Sequence, residues 1–167
     1  MAEEIVNKVA QSGIEQIDLK EFIDKRNWLF IDLKDQLWNE LVIREKDFRN
    51  WVKEHDWSMY SNHNVAIFCS NDAIVPAWAY MLVTAHMPEE ATIYFGTEEE
   101  AKEIQFFESL QNWDISYLKD KRVMVKGCSD IPNPNRAYVT FTKLLTPITK
   151  SIMFGEPCSA VPVFKKK

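Results

Sequence analysis

A three-layer α/β fold is what this sequence predicts, with a mostly parallel sheet of few strands in a Rossmann-like βαβαβα order and helices added at the N-terminus. Two observations carry that expectation. Short apolar, partly β-branched runs at Val65–Cys69, Thr92–Phe95 and Val123–Lys126 are each followed by a segment with helical spacing. Strand and helix in regular alternation are the mark of right-handed crossovers feeding a parallel sheet covered on both faces. The composition agrees: 46% hydrophobic and 13% aromatic residues in 167 supply a sizeable core, and 4 Gly with 7 Pro fit neither a disordered nor a collagen-like chain. One domain is the expectation at this length, with 1–61 as an extension of helices and an edge strand, 62–154 as the α/β core and 155–167 as a tail that folds back.

Taken in order, residues 3–12 place Ile5, Val6 and Val9 on one helical face, and Gly13 follows as a C-cap candidate. Trp28–Leu33 reads as a strand. From Gln36 to Trp57 the apolar positions Leu37, Leu41, Phe48, Trp51 and Val52 recur by threes and fours, and the charges from Arg44 to Arg49 form a solvated face. The stretch Ala73–Met87 is long enough for a buried helix. Gly96 and the capping box Thr97–Glu100 then open a helix that runs to about Gln111. Beyond the Pro-rich turn Ile131–Asn135, the positions Tyr138, Phe141, Leu145, Ile148 and Ile152 predict a last helix interrupted at Pro147, with a strand over Tyr138–Thr142 as the alternative. Gly155 and Pro157 mark its end.

Charge narrows the function. Lys+Arg number 20 against 25 Asp+Glu, a net −5, and the basic residues cluster only at Lys165–Lys167. Phosphate neutralisation needs clustered Lys and Arg, so neither nucleic acid nor an anionic membrane is an expected partner. The N-terminus opens on acids rather than a basic export signal. The longest apolar run, Ala73–Val83, contains Pro76 and falls short of the roughly 20 residues a spanning helix needs. A cytoplasmic protein is expected. With four glycines there is no G-x-G-x-x-G or P-loop cradle, and no G-x-S-x-G or H-E-x-x-H occurs.

The chemistry gathers at the cysteines, three in all and each followed by serine: Cys69–Ser70, Cys128–Ser129 and Cys158–Ser159. Cys69 and Cys128 fall at the carboxyl ends of predicted parallel strands, the edge where open α/β sheets bind ligands. Helix N-termini there favour the thiolate that metals and electrophiles require. Cys158 reaches that edge only if the tail folds back. His86 lies far along its predicted helix, about 20 Å from its start at 1.5 Å per residue. His63 lies six residues before Cys69, again about 20 Å at roughly 3.3 Å per residue. Asp72 and Glu156 are therefore the nearer candidates to complete a ligand set, against the plainer readings of a helix N-cap and a surface carboxylate. A small buried hydrophobe is the plain reading of Cys69 itself.

Several blocks resemble a bacterial family known as domain of unknown function 2480. They are Glu4–Asn7, Arg44–Arg49, Cys69–Met81, Lys126–Ser129 and Lys150–Ser159, so the resemblance spans almost the whole chain. It brings no assigned activity. It implies an accessory role in metal or sulfur handling, because genes of that family lie near those for iron–sulfur cluster assembly. Together these readings predict a metal-binding accessory protein in which Cys69, Cys128 and Cys158, with Asp72 or Glu156, hold zinc or an iron–sulfur species and a protein partner shares the task. An enzyme or redox protein with Cys128 as its reactive thiol is one alternative. An interaction module whose cysteines only pack is the other.

Overall fold

The computed structural model describes residues 13–127, 130–156 and 159–167. Two compact units make up the chain: the described part of Met1–Asp24 with Phe106–Lys167, and Lys25–Gln105. Among the described residues there are four α-helices and two mostly parallel sheets, a mixed α/β architecture. None of the helices is long and apolar enough to cross a membrane.

In Lys25–Gln105 the strands β2 (Trp28–Asp32), β3 (Asn64–Phe68) and β4 (Thr92–Phe95) lie side by side in that order, all parallel. Helix α1 (Glu45–Glu54) connects β2 to β3, and α2 (Ala77–His86) connects β3 to β4. Right-handed crossovers that add strands in one direction leave their helices on one face. Phe48 and Val52 of α1 and Ala79 and Val83 of α2 accordingly share a core with Ile31, Val65 and Ile67. The opposite pleat of the sheet packs Ala66 and Tyr94 against Ala101 of α3 (Glu98–Gln111). Covered on both faces, Val65, Ala66 and Ile67 are all buried, which is why the central strand reads as an unbroken apolar run.

The other unit holds β1 (Ile14–Ile17), β5 (Arg122–Val125), β6 (Ser151–Phe154) and β7 (Val161–Lys165) in the order β1-β5-β6-β7, with only β7 antiparallel. Helix α4 (Pro134–Leu145) makes the crossover from β5 to β6. Its buried face, Ala137, Phe141 and Leu145, meets Phe106, Phe107 and Leu110 of α3 and Val123, Val125 and Ile152 of the sheet.

The single Rossmann-like three-layer sheet is thus not what forms. Both edges of β5 are taken, one by β1 and the other by β6, so β4 has no edge there to join. The expected strand–helix alternation is present, but it is divided between two small sheets. The expected N-terminal helix at 3–12 lies outside the described residues. The helix expected over Gln36–Trp57 is confined to α1, and the segment before it, from Leu33 to Gln36, is a short 3-10 turn. The last helix stops at Leu145 rather than passing Pro147, because Ile152 belongs to β6. Strand β7 runs antiparallel to β6.

The capping box forms as expected. The Thr97 N–H donates to Glu100 Oε2 at 2.8 Å, and the Glu100 N–H reaches Thr97 Oγ1 at 3.4 Å. Gly96 just before it has φ of +126°, and a Cβ there would sit 3.0 Å from the Glu100 side chain. Only glycine leaves room for that carboxylate to fold back.

Candidate functional site

The carboxyl edge of the β2–β3–β4 sheet is the place to look for a ligand, since strands end and helices begin there. Three side chains meet at its centre. Asp32 closes β2, and its carboxylate accepts the Lys34 N–H at 3.0 Å, an Asx-type turn that starts the following 3-10 segment. The same carboxylate reaches across to the end of β3, accepting the Ser70 N–H at 3.0 Å and the Ser70 hydroxyl at 2.6 Å. The Lys34 ammonium stands 3.5 Å away. Burial works against ionisation of Asp32. The Ser70 hydroxyl, the two backbone N–H groups and Lys34 outweigh it and hold the carboxyl below the usual aspartate range.

Tyr80, on the first turns of α2, is half-buried, and its ring stands edge-on to Phe95 at the end of β4 with centroids 5.2 Å apart. Burial raises the pKa of its phenol, and the electrostatic influence of Cys69 and Asp32 works in the same direction. The hydroxyl is therefore a proton donor throughout the physiological range.

Around this polar centre the edge is apolar and open. Ile74 is 78% exposed, Met81 70%, Phe95 67% and Leu41 61%. Two of them are tied through the backbone, the Ile74 N–H donating to the Leu41 carbonyl at 3.1 Å while Val42 bridges to Ile74 in parallel register, and Phe95 meets Tyr80, the chain neighbour of Met81. Acidic residues lie close in the chain to three of them, Glu40 before Leu41, Asp72 two before Ile74 and Glu98 and Glu99 three and four after Phe95. The cations nearby are engaged, Lys34 with Asp32 and Arg44 stacked 3.7 Å from the centroid of Trp38.

The expected metal centre is overturned. Among the described residues no group of three or more His, Cys, Asp and Glu side chains could hold a metal ion. Cys69 is a free thiol packed against the core shared by α1, α2 and the sheet, and its Sγ lies 3.6 Å from the Asn71 carbonyl. The shared strand edge that was to unite the thiols does not exist either, because β3, which leads to Cys69, and β5, which leads toward Cys128, belong to different sheets. Cys128 and Cys158 themselves lie outside the described residues. Asp72 is exposed in a loop and caps no helix, for α2 opens later, at Ala77 behind Pro76. Glu156 is exposed in the turn after β6, where its carbonyl accepts the Ser159 N–H at 2.9 Å.

Of Asp32 and Tyr80, Asp32 has a signal in the sequence and Tyr80 has none. An aspartate ending an apolar strand two residues before a lysine is an Asx-turn pattern. Tyr80 stands in the block Cys69–Met81 but carries no motif of its own, so only the fold places it.

A mixed α/β protein with crossover-linked parallel strands and a half-polar, half-apolar sheet edge is the class these features define. The chain belongs to the family described as protein of unknown function (DUF2480), whose sequence model matches residues 3–166. No curated protein and no solved structure matches it.

Proposed function

We propose that this protein is a binding module whose carboxyl sheet edge docks a basic, amphipathic segment of a partner protein. The observation that carries the reading is the exposure of Leu41, Ile74, Met81 and Phe95, four large apolar side chains each more than 60% exposed, on the strand β4 and the connections and helix that follow β2 and β3. Single exposed apolar residues are ordinary, but a contiguous set ringed by polar groups marks an interaction surface. Methionine, with its flexible and polarisable side chain, suits such a surface. Glu40, Asp72 and Glu99 supply complementary charge for Lys or Arg of the incoming segment, and the Tyr80 hydroxyl, which has no hydrogen-bond partner among the described residues, supplies a donor. The same acids disfavour a nucleic-acid backbone.

Titration of the full chain with an amphipathic Leu/Lys helical peptide, followed by NMR, tests this. Saturable shifts at Ile74, Met81 and Phe95 are expected, and the double variant Ile74→Ser/Met81→Ser should weaken binding at least tenfold, since each loss removes about 1–3 kcal/mol of buried apolar contact. Equal binding of a Leu/Glu peptide, or a double variant that binds as the parent does, overturns the reading.

A further inference from the structure

A second concavity lies between α1 and α2 at the end of α2 remote from the carboxyl sheet edge. It encloses about 340 Å³ and is lined by Arg49, Val52, Lys53, Trp57, Leu82 and His86. That volume is at the lower end of the range for small-molecule sites, roughly 300–1,000 Å³.

Its walls are chemically uneven in an informative way. Arg49 and Lys53 are one helical turn apart on α1, both exposed, and none of the six lining residues is acidic although the chain as a whole carries a net −5. Arg49 donates through Nε to Glu45 at 2.9 Å, which leaves its terminal nitrogens, and Lys53 has no ion pair among the described residues. On α2, His86 Nδ1 lies 2.8 Å from the Leu82 carbonyl. A carbonyl only accepts, so Nδ1 carries the proton and Nε2 is the nitrogen left to meet a ligand.

The floor is aromatic and fixed. The Trp57 indole N–H is already donated to the Val52 carbonyl at 2.8 Å, so what the side chain offers is its ring. Behind it stand Trp51, His55 and Tyr60, with centroids 5.7, 4.6 and 5.9 Å from Trp57, and His55 is itself within 2.9 Å of the Tyr60 hydroxyl. A ring held from behind in this way loses little freedom when a ligand stacks on it.

We infer that this groove binds a small anionic aromatic molecule, a planar ring bearing one carboxylate or phosphate, with the ring on Trp57, His86 beside it, and the anion held by Arg49 and Lys53. Stacking and apolar contact with Leu82 and Val52 would take the ring, and charge-assisted hydrogen bonds the anion. The site is independent of the partner-docking edge proposed above.

Phenyl phosphate added to the full chain, with indole and imidazole NMR signals followed, tests the inference. Trp57 and His86 should shift together and saturate. Benzyl alcohol and benzylammonium, which keep the ring and lose the negative charge, should bind at least about tenfold more weakly, and Arg49→Ala and Lys53→Ala should each cost about tenfold. Both side chains are exposed, so the variants keep the fold. No shift at Trp57 and His86, equal affinity for benzylammonium, unchanged affinity in both variants, or inorganic phosphate binding as tightly as phenyl phosphate would each overturn it.

Discussion

Asp32 is the residue on which the carboxyl edge of the β2–β3–β4 sheet depends, and removing its charge is the sharpest test of how that edge is built. Asp32→Ala deletes three hydrogen bonds to a carboxylate, at 2.6, 3.0 and 3.0 Å, which tie the end of β2 both to the following turn and to the end of β3. Ser70 is exposed, so water can satisfy its groups after the loss and the cost is the net worth of the bonds rather than the penalty of orphaned donors. For bonds that share one acceptor group this is about 2–3 kcal/mol in all. The Lys34 contact adds little, since at 3.5 Å with a half-exposed ammonium it is a surface pair worth less than about 1 kcal/mol. The pH dependence fixes the mechanism. The folded pKa of Asp32 lies below its ordinary value of 3.8, so the stabilisation is fully present above about pH 4–5 and is lost as pH falls through the folded value. Urea unfolding followed by tryptophan fluorescence should therefore show Asp32→Asn less stable than the parent by a constant amount from pH 5 to neutrality, with the gap closing below about pH 4. A gap that persists undiminished at pH 3, or a variant within about 0.5 kcal/mol of the parent at neutral pH, would refute the assignment.

Two other substitutions probe the same unit. Cys69→Ala should cost only about 1 kcal/mol in urea unfolding, because the half-buried thiol packs against the core and gives a weak bond to Asn71, and the metal content of the purified protein should not change. A loss above about 3 kcal/mol, or metal that disappears with the thiol, would contradict a packing role. Asn64 is fully buried at the start of β3, and neither its Nδ2 nor its Oδ1 has a hydrogen-bond partner among the described residues. Asn64→Leu, close to it in shape, should raise stability by about 1 kcal/mol, and a comparable drop instead would mean that the amide is bound after all.

Local patterns proved legible where the chain's own chemistry decides the outcome. Thr92–Phe95 is a strand with the limits its β-branched run indicates, and Thr97 with Glu100 closes a capping box that needs nothing from the rest of the molecule. Pairing between distant segments was not legible. Ile14–Ile17 is four residues, an Ile at each end of Glu15–Gln16, with no alternation to mark it as a strand until β5 offers an edge, and with β1 on one side of β5 and β6 on the other the strands divide into two sheets. Likewise Ile152 fits the spacing of a helical face in sequence, yet β5 and β7 hold it from both sides as a strand.

The site shows the same division between local and non-local information. Three Cys–Ser pairs at strand ends imply a shared site only if the strands share a sheet, and a one-dimensional pattern of strand and helix is identical whether the strands join one sheet or two. The dipeptide repeat therefore carried an assumption about topology that β1 removes. What remains at the strand end after Cys69 is the neighbour that drew no attention, Ser70, whose hydroxyl and N–H both go to Asp32. That contact joins residues 38 apart in sequence, and neither member is unusual alone. Its consequence is mechanical: it holds together the ends of β2 and β3, from which the connections carrying Leu41 and Ile74 leave, beside Phe95 at the end of β4. If that edge is the docking surface, Asp32→Asn should weaken peptide binding without touching the peptide, whereas Met81→Ser should weaken it with little effect on stability. The two variants separate the scaffold from the contact.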